Sequence, residues 1–166
     1  MRSLATKKIR VVGGDVHKRH YFRSRYCSGY FTYPNPETNG FIPKLYEILE
    51  RSQANVLVPM SNSTVYAVSS NRELLNEIVD IPLPDHSSIN IALDKYRTPT
   101  VLLQNSVPTP KTWLINEKTN LSRLSSKLEF PLILKPRRSE GSAKGVVRVD
   151  NENELQNVVE KLLKEF

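Results

Sequence analysis

Two apolar runs closed by a basic, glycine-containing loop constrain this chain more than any other stretch. Phe130 to Leu134 leads straight into Lys135, the loop reads KPRRSEGSAKG to Gly145, and Val146, Val147 and Val149 resume the apolar pattern. The pattern predicts two strands under a flexible cover, with a lysine at its base. Backbone N–H groups and cationic heads on one loop suit a polyphosphate, and glycine permits close backbone approach. The loop is not a Walker A sequence, because no Gly-Lys-Ser/Thr follows four residues after a glycine. The plain alternative is a basic hairpin at the surface.

Upstream, strand-like and helix-like segments alternate. Lys8 to Val12 (KIRVV) reads as a buried strand ending in Gly13-Gly14-Asp15, and Tyr30 to Tyr33 as a second, stopped by Pro34 and Pro36. Phe41, Leu45, Ile48 and Leu49 repeat at helical spacing, predicting an amphipathic helix over about 41–53 with Pro43 in its first turn. Asn55 to Met60 predicts a third strand, Ser61 to Thr64 a polar cap for a helix over about 64–78, and Val79 to Leu83 a fourth strand. Such alternation implies an α/β fold with a doubly wound, mainly parallel, Rossmann-like sheet.

Beyond Pro84 the chain changes character. One or two helices over 87–105 carry Asp94-Lys95, Val107-Pro108-Thr109-Pro110 makes a stiff connector, Lys111 to Ile115 is strand-like, and a short helix falls near 119–127. The last helix has Asn151 as its cap with Glu154 three residues on. Leu155, Val158, Val159, Leu162, Leu163 and Phe166 line one face of it, a face that needs a partner. A domain boundary is expected between Pro84 and Lys95.

A length of 166 residues holds one ordinary domain, or a small domain and part of another. The lone Cys27 makes no internal disulfide and fits a reducing compartment, so the sequons at Asn62 and Asn120 carry little weight. No apolar run approaches the roughly 20 residues of a membrane span, and the N-terminus lacks the apolar region of a secretion signal. The expectation is a cytoplasmic protein with no membrane partner. A net charge of +7 points to a polyanionic partner, or to a site whose acidic part lies elsewhere.

DKYRT (94–98), VPTPKTW (107–113), FPLILKPRRSEGSAKGV (130–146) and NENEL (151–155) stand in the order and spacing of the ATP-grasp proteins. The chain most resembles their carbamoyl-phosphate-synthase-like and carboxylate–amine ligase branches. The resemblance implies a pre-ATP-grasp α/β domain over 1–94, then the small α+β N-terminal subdomain of an ATP-grasp module over 95–166. It also implies ATP and a small carboxylate as ligands, and an acyl-phosphate as intermediate. Lys135 would contact the α- and β-phosphates, and Lys95 would approach them from the hinge side. Ser139, Gly141, Ser142, Lys144 and Gly145 would form the flap, whereas Arg137 and Arg138 stand where many members carry small residues. The family's magnesium ligands and adenine hinge lie on a second subdomain, which is expected outside this chain. The chain therefore reads as an N-terminal portion of a longer ligase, inactive alone, with that subdomain as its missing partner and self-association open to it.

Other residues carry weaker signals. By the same resemblance the turns Gly13-Gly14-Asp15 and Ser61-Asn62-Ser63-Thr64 are candidate substrate-binding residues; their plain reading is a tight turn and a helix cap. His17, His20 and Cys27 sit among cations that oppose a divalent metal, so no metal site is expected. His86, beside Asp85, reads as a loop histidine. Lys18 to Tyr33 interleaves cations with aromatics, as single-stranded nucleic-acid platforms do. No RNP, KH or helix-turn-helix pattern accompanies it, so nucleic acid is not the expected partner. A non-catalytic nucleic-acid-binding, nucleotide-sensing or assembly module remains the alternative to the ligase.

Overall fold

The computed structural model describes residues 1–138 and 144–165, and the chain divides into two compact units, Met1–His86 and Ser87–Phe166. In the first, α1 (Arg2–Ala5) precedes β1 (Val12–Asp15), and a 3-10 turn (His20–Arg23) leads to β2 (Gly29–Thr32). Three helices follow, α2 (Phe41–Ser52), α3 (Asn62–Ser70) and α4 (Arg72–Leu75). The strands pair in parallel, Val12 opposite Gly29 through Asp15 opposite Thr32.

β1 takes in the glycines expected in a turn. A Cβ on Gly13 would stand 2.4 Å from the Phe22 ring, and one on Gly14 2.9 Å from the Tyr33 ring. These glycines therefore make room for aromatic packing within a strand. The stretch expected to be strand lies before it. Lys8, at φ 61°, closes the turn after α1, with its N–H and that of Ile9 returning to the carbonyls of Ala5 and Leu4.

Helix α2 forms as its spacing predicts. Pro43 falls in the first turn, where no intrahelical donor is lost, and Gln53, at φ 49°, ends the helix in the left-handed region. Phe41, Leu45 and Leu49 meet Val68, Leu75, Val79 and Ile81 in the core of this unit. The single helix expected over 64–78 is broken at Asn71, whose φ −118° and ψ 27° are not helical. The expected third and fourth strands shrink to one parallel bridge, Val56 with Asp80. It is closed by Leu57 N–H to the Asp80 carbonyl and Asp80 N–H to the Asn55 carbonyl, both 2.9 Å. Pro59, Pro82 and Pro84 have no N–H to extend that ladder. Arg72 staples the segment by donating to the carbonyls of Ile81, Leu83 and Pro84.

The second unit contains most of α5 (His86–Ala92), then α6 (Arg97–Gln104), α7 (Leu121–Ser125), β3 (Leu132–Leu134), β4 (Val147–Val149) and α8 (Glu152–Glu165). β3 and β4 are antiparallel, with Leu132 opposite Val149 and Leu134 opposite Val147. Val149 is fully buried, with Leu155 and Val159 of α8 packed against it and Ile115, Leu121, Leu128, Phe130 and Leu134 around them. Lys111 to Ile115 forms no strand, although Ile115 reaches this core. The start of α8 matches its signature: Asn151 Oδ1 accepts the Glu154 N–H at 3.0 Å, and Glu154 Oε2 accepts the Asp150 N–H at 2.9 Å. Phe166 lies outside the described residues. The result is a mixed α/β fold built on small sheets.

Candidate functional site

Lys135 follows β3 directly and is exposed, while Pro136 beside it is buried. The strand exit is held by a carboxylate from another part of the unit. Asp94, between α5 and α6, is 1% exposed. It accepts the backbone N–H groups of Tyr96 at 3.0 Å and Arg97 at 3.1 Å, which lie at the start of α6. It also accepts the Nε–H of Arg137 at 2.9 Å and an Nη2–H at 2.7 Å. The backbone repeats the join, because Lys95 N–H donates to the Arg137 carbonyl at 3.1 Å. The stretches carrying the two candidate phosphate-binding lysines are thus fastened by side chains and main chain at once.

The electrostatics follow from this geometry. The Arg137 guanidinium, despite the cost of burial, holds the Asp94 carboxyl well below the ordinary carboxylate range, with the Arg97 and Tyr96 N–H groups adding to it. Asp94 in turn raises the pKa of Arg137. Arg138 Nη2 stands 3.9 Å from Asp94 Oδ2 and 3.5 Å from the Asn90 carbonyl. The Arg137 guanidinium lies 5.9 Å from the centre of the Tyr96 ring.

At the other end of the loop, Lys144 Nζ is 3.2 Å from Glu165 Oε1, and Gly145, at φ 73°, turns the chain into β4. Ser139, Gly141 and Ser142 lie outside the described residues. Sequence reasoning missed the role of Asp94 and passed over Arg137. The available signal was an acidic residue closing the apolar run Ile91-Ala92-Leu93.

The remaining candidates belong to the first unit. Gly13 and Gly14 are strand residues, and Asp15 is occupied locally by the Tyr21 hydroxyl, the His17 N–H at 3.2 Å and Arg19 Nε at 3.3 Å. Burial opposes its charge, but those donors outweigh the burial and lower its pKa. Ser61 and Thr64 form a reciprocal cap on α3: Ser61 Oγ accepts the Thr64 N–H at 3.2 Å, and Thr64 Oγ1 the Ser61 N–H at 3.0 Å. Ser63 Oγ lies 3.1 Å from Ser61 Oγ, and Asn62 opens the helix. His86, expected in a loop, is the first residue of α5, and its Nδ1 is 2.8 Å from Ser69 Oγ. Cys27 Sγ donates to the Gly29 carbonyl at 3.0 Å. Among the described residues no three His, Cys, Asp or Glu side chains gather as a metal site, and no helix is long and apolar enough to cross a membrane.

Known proteins resemble this chain in sequence and in fold. Residues 103–165 match the family model of the D-ala D-ala ligase C-terminus. This match and those that follow support the resemblance to the ATP-grasp superfamily. It is 35% identical over 99 residues to the alpha-aminoadipate–LysW ligase LysX of Saccharolobus solfataricus, covering 56% of this chain and 35% of that protein. It is 43% identical over 65 residues to the D-alanine–D-alanine ligase of Petrotoga mobilis, covering 39% of this chain and 20% of that protein. The chain thus spans about a third or less of the curated relatives it matches. In fold it is similar to the L-amino acid ligase from Bacillus licheniformis, with a TM-score of 0.72 at 20% identity, over 97% of this chain and 38% of that one. A second similar structure is the N5-carboxyaminoimidazole ribonucleotide synthetase from Thermotoga maritima, with a TM-score of 0.59 at 21% identity, over 95% of this chain and 39% of that one.

Proposed function

We propose that this chain supplies the phosphate-binding part of an ATP-dependent carboxylate–amine ligase. In such a reaction a carboxylate oxygen takes the γ-phosphoryl group, ADP leaves, and an amine displaces phosphate from the acyl-phosphate. The work asked of this chain is charge neutralisation and positioning. Lys95 and Lys135 would hold the α- and β-phosphates, and Lys144 and Gly145 with Ser139, Gly141 and Ser142 would cover the β/γ end. The observation that carries this reading is the Lys95 N–H to Arg137 carbonyl bond, which ties the segments bearing the two lysines together. Asp94 is unsuited to magnesium, because four N–H donors already occupy its oxygens.

In this proposal a pre-ATP-grasp domain occupies about 1–94 and the first ATP-grasp subdomain about 95–166. The parallel pairing of β1 with β2, and of Val56 with Asp80, supports a doubly wound sheet in the first, since both pairings have the direction such a sheet needs.

The test is residue-resolved NMR titration of the full chain with Mg-ATP. Shifts at Lys95, Lys135 and 144–145 that vanish in Lys135→Ala are expected. Wild-type spectra unchanged at millimolar ATP would sink the proposal.

One observation favours a second reading. Residues 1–26 carry eight Lys and Arg against one Asp, and all eight are exposed. Such a stretch suits an anionic polymer, and oligonucleotide binding that weakens steeply with salt would be its mark.

A further inference from the structure

Arg137 is half in and half out of the protein. Its side chain is 46% exposed, whereas the carboxylate it grips is 1% exposed. Nε and Nη2 face Asp94, and among the described residues Nη1 has no hydrogen-bond partner. A guanidinium pinned along one edge by a buried carboxylate keeps its other edge in a fixed orientation without losing charge. That is the form of a preorganised anion donor. A surface arginine with four free torsions would lose that freedom on binding.

The surroundings favour an anion as the ligand. Residues 135–144 hold four Lys and Arg against one Glu. Arg138 stands beside the same carboxylate, and Lys135 is two residues away. Asp94 carries one negative charge against the two arginines it meets, so the cluster keeps a positive excess. A latch needed only to hold α6 to the strand exit would not require that excess.

We infer that Arg137 is itself a phosphate-binding residue, and that Asp94 is the positioning residue that aims it. The inference rests on the proposed ATP site and deepens it. Arg137 joins Lys135 and Lys95 as a third cation on the phosphate chain, and it supplies the flat, paired donors that a lysine cannot.

The test uses the full chain and two probes, Mg-ATP and tripolyphosphate, followed by NMR shifts and by melting temperature. In Arg137→Gln both affinities should fall by about tenfold, and millimolar guanidinium should restore part of the loss. Arg148→Gln removes an equal charge from the exposed Arg148–Asp150 pair at the end of β4 and should change affinity less than twofold. If Arg137→Gln does not fold, Arg137→Lys is read instead; it should bind both probes severalfold more weakly than wild type, with guanidinium giving no rescue. Wild-type binding of both probes, kept at full strength in the Arg137 variant, overturns this inference alone. A wild-type chain that binds neither probe overturns it together with the ATP site. Binding of tripolyphosphate without ATP overturns the nucleotide reading and leaves Arg137 to be judged on tripolyphosphate.

Discussion

The two basic stretches of this chain hold their charge in opposite ways. In residues 135–138, Arg137 is anchored on Asp94, which is 1% exposed and fully engaged, and Arg138 stands beside it. Around residues 17–30, Lys18 and Arg25 rest on aromatic rings and Arg19 on a partly exposed carboxylate. Lys18 Nζ lies 5.2 Å from the centre of the Tyr30 ring, and Phe22 stacks on Tyr30 at 5.1 Å with 8° between planes. The carboxylate there, Asp15, keeps a side-chain exposure of 22%. Cations on a buried anchor have one geometry, which is what binding a small phosphate group requires. Cations on a solvated aromatic patch can follow a partner of variable shape.

The difference should be largest in stability. Asp94→Ala removes the anchor, orphans the N–H groups of Tyr96 and Arg97, and leaves Arg137 without its partner. We expect a loss of about 3 kcal/mol in urea unfolding of the full chain, with faster amide exchange in β4 assigning the loss to the second unit. A loss below about 1 kcal/mol would mean that the anchor is as dispensable as a surface pair.

Acid should single out the same residue. The folded-state pKa of Asp94 lies below its ordinary value of 3.8, so its contribution is complete above that value and fades as pH falls further. Wild type should therefore lose part of its urea midpoint between about pH 4 and pH 2. Asp94→Asn should lack that part of the pH dependence, and superimposable pH profiles would contradict it.

The sequence made the second unit more legible than the first, and the reason is local. The Asn151/Glu154 cap, the Leu155–Val159 face and the two short strands are each written within a few consecutive residues, and each formed as expected. The first unit depended on distant partners. Gly13 and Gly14 look like turn residues until the rings of Phe22 and Tyr33 occupy the space their side chains would fill. Asn55 to Met60 has strand composition, but a strand needs a neighbour with free N–H groups, and the prolines near Asp80 withhold them. Asp94 was visible as a residue but not as an anchor, because Arg137 lies 43 positions away. The lysines were read from their motifs; what binds their segments together is tertiary.

Capping lies between these extremes. Ser61→Ala deletes one half of a reciprocal cap, leaves Thr64 N–H without its acceptor, and should cost about 1 kcal/mol. The loss should appear in amide exchange of α3 and leave the β4 amides unchanged.

Asp15→Asn should have the smallest effect, and it tests the comparison from its weaker side. The carboxylate meets Arg19 and the Tyr21 hydroxyl at the surface, where water competes for each and salt screens the charge. Its replacement should change stability by no more than about 0.5 kcal/mol, and an amide oxygen can still accept from Tyr21. The charge of residues 1–26 would rise by one, so any anionic polymer bound there should bind slightly more tightly, with a steeper dependence on salt. Weaker binding in this variant would show that Asp15 orders the aromatic patch as Asp94 orders Arg137. The two basic stretches would then be variants of one design, distinguished only by how deeply the carboxylate is set.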